Sequence, residues 1–159
     1  MRVYLLRHGI AEDGRPGKPD AERALTREGQ EKLYRTLVFA KADLAPSLIL
    51  TSPYRRARET AAIASEVLGY KGDVVLTSCL VPNSSPDAVW DEIRTHREEE
   101  GVLVVGHEPL FSSTAAYLLG APEMLVDFKK GALIRMDLGS FGPLPSGILK
   151  WMLTAKLTA

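Results

Sequence analysis

The sequence predicts an α/β protein, a three-layer α/β/α sandwich built on a mostly parallel central sheet. Three observations lead there. Short apolar runs at Val3–Leu6, Leu48–Leu50 and Val102–Val105 contain no polar residue, the pattern of strands buried on both faces and hence of parallel sheets. Stretches with helical periodicity alternate with those runs. Each run also breaks abruptly into a polar turn, at Arg7-His8-Gly9, at Ser52-Pro53 and at Gly106-His107-Glu108-Pro109. Open α/β sheets bind ligands outside the carboxyl ends of their strands, so these turns are where chemistry is expected.

The bulk numbers suit that class. A chain of 159 residues, 45% hydrophobic and 25% charged, can bury a real core, and residues 1–159 are expected to form one domain. Lysine plus arginine equals aspartate plus glutamate, 20 against 20, so no global field draws the protein to nucleic acid or to an anionic membrane. Any anion site must be local. Cys79 is the only cysteine and cannot form an internal disulfide, and the amino terminus does not read as a secretory signal, which together favour the cytoplasm. No apolar run approaches the ~20 residues a membrane span needs, and no internal repeat is visible.

Taken in order, Val3–Leu6 is the first strand, and Gly9 after it allows a sharp turn and a close approach of main chain to a ligand. Ile10 to Ala24 is rich in Asp, Glu, Gly and Pro without periodicity and reads as a long loop over that strand's end. Its Gly14-Arg15-Pro16-Gly17-Lys18 is not a phosphate-binding P-loop, because two residues separate the glycines where four are required and no strand leads in. Thr26 caps a helix to about Ala40, with Glu28 favouring the dipole in the first turn and Leu33, Leu37 and Val38 on one face. Ser47–Thr51 is the second strand. Ser52-Pro53 ends it and opens a helix from about Tyr54 to Leu68, closed by Gly69, with Ala57, Ala61, Ala64 and Leu68 as its apolar stripe. Asp73–Leu76 is a short third strand. Ser85 as cap and Pro86 as first residue start a helix to about Glu100 that buries Val89, Trp90 and Ile93. Val102–Val105 is the most apolar strand, followed by a helix from about Leu110 to Leu119 with Gly120 after it. Ala132–Met136 and Gly147–Leu153 are closing strands joined by a Gly/Ser/Pro turn.

Several chemistries are excluded by spacing. His107-Glu108 begins a zinc motif whose second histidine position is Phe111, and no other His or Cys lies at ligand spacing, so neither a catalytic metal nor a cofactor is expected. Cys79 lacks the arginine six residues on that a cysteine phosphatase needs, since Ser85 stands there. His96, among Arg94, Arg97 and a run of glutamates, reads as a solvent-facing helix residue. What remains is cationic. Arg55, Arg56 and Arg58 crowd a helix start, where cations oppose the dipole, a placement that makes sense if an anion joins them. Only one of the three is expected to point inward, because residues two apart do not share a helix face. Three strand ends thus deliver Arg7-His8, Arg55/Arg56 and His107 to one sheet edge, and two imidazoles with at least two guanidiniums describe a pocket for a phosphoryl group.

On these residues the chain resembles the histidine phosphatase superfamily. The matching stretches are Leu6-Arg7-His8-Gly9, the segment Thr51 to Ala61 with its Ser52-Pro53 and Arg56-Ala57, and Gly106-His107-Glu108-Pro109. The short length, the Arg23-Ala24-Leu25-Thr26-Arg27-Glu28-Gly29 segment and the late Leu149–Thr154 strand are similar to the compact SixA-type branch, the protein phosphohistidine phosphatases. The resemblance implies a phosphoglycerate-mutase-like fold, His8 as a nucleophile phosphorylated during turnover, Arg7 and Arg56 as phosphate ligands, and His107 as a second histidine hydrogen-bonded to the phosphoryl group. Arg55 occupies a variable position. The implied substrate is a phosphorylated protein carrying phosphohistidine, or a small phosphorylated metabolite.

Physical chemistry supports such a site. Neutral imidazole is a good nucleophile near pH 7, and nearby Arg7 and Arg56 favour the neutral form of His8. A loose phosphoryl-transfer transition state spreads charge over three oxygens that two guanidiniums and an imidazole donor can meet. The acid that would protonate an alcohol leaving group is missing: the stretch Leu80–Asn83 holds no glutamate, and Glu108 is a weak candidate that can equally serve as a helix-start carboxylate. Imidazole leaves with far less protonic help than an alkoxide, so the gap points to a phosphoramidate such as phosphohistidine. A small-molecule phosphomonoesterase and a non-catalytic phosphate-binding module are the rival readings.

Overall fold

A computed structural model describes residues 1–159. Six strands form one sheet: β1 (Arg2–Arg7), β2 (Leu48–Thr51), β3 (Val74–Leu76), β4 (Gly101–Gly106), β5 (Leu133–Asp137) and β6 (Ile148–Leu153), in the order β3-β2-β4-β1-β5-β6. β3, β2, β4 and β1 run parallel, and β5 and β6 add antiparallel at one edge. The mostly parallel sandwich predicted from the apolar runs is therefore the one observed.

Strand alternation sorts the core into two layers. Val3, Leu5, Val102 and Val104 pack on one face with Trp90, Ile93, Phe111 and Leu118 of α3 (Pro86–Thr95) and α4 (Leu110–Leu118). Tyr4, Leu6, Leu103 and Val105 pack on the other with Leu33, Leu37, Ala57 and Ala61 of α1 (Arg27–Ala40) and α2 (Arg55–Leu68). Ala57, Ala61 and Ala64 of α2 are fully buried against the sheet, where their small side chains suit close packing.

Most helix punctuation follows the local chemistry. Thr26 Oγ1 accepts the Gly29 N–H at 3.0 Å, and Gly69 closes α2 with φ 64°. Departures have identifiable causes. Val38 is exposed because the buried stripe of α1 runs Gly29, Leu33, Thr36, Leu37, Ala40, and at about 100° per residue Val38 falls on the opposite side of the helix from Thr36 and Ala40. In α2 Val67, not Leu68, completes the stripe, while Leu68 is half-buried. Ser85 occupies the cap position of α3 without a side-chain bond, and α3 stops at Thr95, since Glu98, Glu99 and Glu100 would place carboxylates at a helix C-terminus. His96 consequently sits at that helix end, half-buried and 3.2 Å from Glu92. The long loop holds a short 3-10 turn at Asp20–Glu22 and a bridge between Ala11 and Leu25. No helix is long and apolar enough to cross a membrane.

Candidate active site

Parallel register builds the site. Arg7, the last residue of β1, lies opposite Gly106, the last of β4, so the residues that follow, His8 and His107, emerge side by side. The ladder continues one bond further, with His8 N–H on the Gly106 carbonyl at 3.0 Å. Their ring centroids are 5.1 Å apart, and both side chains are buried. β2, the other neighbour of β4, adds Ser52 and the first turn of α2. Of its three arginines only Arg56 turns inward and is buried; Arg55 pairs with Glu59 at 2.8 Å on the surface, and Arg58 is exposed. Arg7, His8, Arg56 and His107, predicted from three separate stretches, are thus brought to one edge of the sheet.

The hydrogen bonds of His8 assign its two nitrogens. Nδ1 lies 2.7 Å from the carbonyl oxygen of Gly9, which can only accept, so Nδ1 carries the hydrogen. Nε2 then presents its lone pair, and Arg56 Nε donates to it at 3.3 Å. Burial, followed by the charges of Arg56, Arg7 and Arg23, pushes the His8 pKa down to about 3. The arginines act in the direction expected, but desolvation is the larger cause. Gly9 has an ordinary negative φ. Its missing side chain serves packing, because a Cβ would lie 2.5 Å from Leu33 Cδ1, and its N–H is held by Thr60 Oγ1 at 3.2 Å.

His107 is wired the other way round. Its Nε2 lies 2.8 Å from Ser52 Oγ, and that oxygen already accepts the Tyr54 N–H at 3.2 Å. The Ser52 hydroxyl proton needs an acceptor, and His107 Nε2 is the one within reach, which places the ring hydrogen on Nδ1. Nδ1 is buried and has no partner in the protein. Burial, then the proximity of His8 and Arg56, pushes the His107 pKa down to about 3. Tyr54 packs its ring edge-on against His107, with centroids 5.1 Å apart, and Arg56 lies over the same ring.

Two arginines frame the imidazoles. Arg7 Nη1 donates to the Phe128 carbonyl at 2.7 Å, while its buried Nε has no partner. Arg56 Nη1 donates to the Asp20 carbonyl at 2.8 Å and Nη2 to Asp20 Oδ2 at 3.0 Å. Asp20 Oδ1 in turn accepts Arg23 Nε at 2.8 Å. Sequence reasoning did not single out Ser52, Tyr54, Asp20 or Arg23 as site residues. Ser52-Pro53 read as a strand end, and Asp20 lies in a stretch without period, where only contact with Arg56 reveals it. Glu108 Oε1 accepts the Ser112 N–H at 2.6 Å in the first turn of α4, the arrangement of a helix-start carboxylate. Cys79, half-buried and 3.2 Å from the Thr77 hydroxyl, has its thiol pKa raised by burial and stands outside the site.

Comparison with known proteins agrees with this geometry. The model of the histidine phosphatase superfamily (branch 1) matches residues 3–80, the half that carries Arg7, His8 and Arg56. An uncharacterized protein of Picosynechococcus sp. is 33% identical over 148 residues, spanning 88% of this chain and 87% of its own length. The structure of the protein histidine phosphatase SixA complexed with tungstate superposes with a TM-score of 0.90 at 22% identity over 100% of both chains. An alpha-ribazole phosphatase from Shigella flexneri superposes with a TM-score of 0.74 at 19% identity over 98% of this chain and 97% of its own. The two structures speak for the phosphoglycerate-mutase-like fold, and the family model reaches through the first strand, its histidine and the arginine-bearing helix. With a relative matched along nearly the whole length, these findings place the chain in the histidine phosphatase superfamily.

Proposed function

We propose that the protein, acting as a single domain, is a phosphatase that works through a phosphohistidine on His8 and acts on phosphohistidine of a protein. One observation carries the reading: a buried, neutral imidazole has its Nδ1 tied to a main-chain carbonyl and its Nε2 lone pair facing a guanidinium, beside a second imidazole with a donor to spare. In the first step His8 Nε2 attacks phosphorus, the bond from phosphorus to the substrate imidazole breaks, and that nitrogen keeps the electron pair; with its other ring nitrogen already protonated from solvent, the substrate departs as neutral imidazole. In the second, water attacks phosphorus, its proton passes to a phosphoryl oxygen, and the bond to Nε2 breaks to release phosphate and return His8 as a neutral imidazole with its hydrogen on Nδ1. Arg7, Arg56 and the Nδ1–H of His107 supply positive charge and donors to the equatorial oxygens.

The substrate class follows from the acid. Glu108 is engaged by the start of α4, and Asp20, between Arg56 and Arg23, has its pKa lowered, with the bonds to those arginines outweighing burial. Neither is poised to give a proton to an alkoxide, whereas imidazole needs little help to leave. Likeness to the SixA structure supports this choice, and likeness to the alpha-ribazole phosphatase supports the rival, a phosphomonoesterase for a small metabolite. A side-by-side kinetic comparison of a phosphohistidine protein and phosphoramidate with sugar phosphates and nucleotides decides. Higher kcat/KM on the N-phosphorylated substrates is expected; preference for the esters would overturn the assignment.

A further inference from the structure

We propose that Asp20 is a positioning residue of the phosphoryl site, acting through Arg56; the proposal deepens the phosphatase reading and rests on it. A guanidinium carries five N–H bonds in one plane. Asp20 meets two of them on the terminal edge of Arg56, with its main-chain carbonyl on Nη1 at 2.8 Å and its carboxylate Oδ2 on Nη2 at 3.0 Å. The side edge, made of Nε–H and the second hydrogen of Nη2, is left facing His8 Nε2, 3.3 Å from Nε. That edge is the fork able to grip two oxygens of a phosphoryl group bonded to Nε2.

Asp20 is itself anchored. Its Oδ1 takes Arg23 Nε at 2.8 Å, and Arg23 Nη1 reaches the Glu12 carbonyl at 2.7 Å. The Leu25 N–H then ties the end of this loop to Glu59 Oε2 on α2 at 2.7 Å. The loop is thus braced on the helix that carries Arg56. An ordinary surface ion pair would contribute little, and a carboxylate beside an anion site opposes phosphate binding by charge. The Arg56 side chain is only 5% exposed against 57% for Asp20, so what Asp20 supplies is the orientation of a buried fork.

Charge and orientation separate experimentally. Asp20→Asn removes the charge and keeps one acceptor oxygen for Arg56, with its amide NH2 replacing the oxygen that Arg23 now uses; Asp20→Ala removes the charge and both acceptors. With phosphoramidate as substrate, kcat of D20A is expected to fall about ten- to hundredfold below that of D20N, the worth of a hydrogen bond to a charged group. Tungstate affinity, measured by calorimetry, is expected to follow the same order. Adding D20A to Arg56→Lys is expected to cost little more, since Arg56 is the route. Equal behaviour of D20N and D20A, including a shared loss of melting temperature alone, overturns the proposal, as does full additivity of D20A with R56K. Calorimetry needs no turnover. A wild-type protein that binds tungstate but hydrolyses nothing would sink the phosphatase reading while the order of the two variants still judged Asp20.

Discussion

His8 and His107 stand at equivalent places on adjacent parallel strands, one residue past a matched pair in the register, and both are buried. Their hydrogen bonds are of opposite sense. A carbonyl holds Nδ1 of His8 and frees its Nε2 lone pair; a hydroxyl holds Nε2 of His107 and frees its Nδ1–H. In the proposed reaction the same side chain thereby serves as a nucleophile in one position and as a donor in the other. Tautomers, set by the neighbouring atoms rather than by residue type, divide the labour.

Four substitutions or conditions break or sharpen that contrast. The largest effect is expected at His8: His8→Ala removes the attacking lone pair, so turnover falls to background and rapid-quench experiments find no acid-labile phosphate on the enzyme. His107→Ala is expected to leave phosphoenzyme detectable while cutting its rate of formation by about 10² to 10³, the worth of one transition-state donor. If both variants lose labelling completely, the division of roles fails. Ser52→Ala removes the hydroxyl that holds His107 Nε2 and frees the tautomer of that ring; a loss of up to about tenfold in kcat is expected, from one net hydrogen bond. The same change is expected to leave the chemistry of His8 intact, visible as unchanged covalent labelling at long times.

The pH dependence of stability tests the shared property, burial as neutral rings. Each imidazole has its pKa pushed down to about 3, whereas in the unfolded chain it returns to about 6.5. Between those values the unfolded chain binds protons that the folded chain does not. Stability is therefore complete above about pH 6.5 and declines as pH falls toward 3. Denaturant melts of His8→Asn and His107→Asn are expected to show a shallower decline than the wild type over that window. An unchanged slope in both variants would mean that these rings are not buried neutral.

The contrast also marks how far the sequence could be read. Apolar runs revealed the buried strands and their polar ends revealed Arg7, His8 and His107, because strand burial and strand termination are local properties. Helix periodicity allowed only one of the three arginines to turn inward, and the family resemblance named Arg56 as that one. Ser52, Tyr54 and Asp20 were not legible as site residues, since their importance lies in which atom of a distant residue they touch: Ser52 and His107 are 55 residues apart, and Asp20 and Arg56 are 36 apart. Gly9 was read as a turn residue, whereas its role is steric and depends on Leu33 arriving from α1. The end of α2 at Leu68 was read correctly, whereas the end of α3 at Thr95 was overrun toward Glu100 and the last buried residue of α2 proved to be Val67, where charge and rotation compete within a single turn.

The measurement closest to the central claim is the position of the phosphate on the trapped intermediate, read by mass spectrometry of the labelled peptide and by NMR of the phosphorylated ring. With Nδ1 of His8 held by the Gly9 carbonyl at 2.7 Å, phosphate is predicted on Nε2 of His8 and nowhere else. Phosphate on Nδ1 of His8, or on His107, would contradict the account.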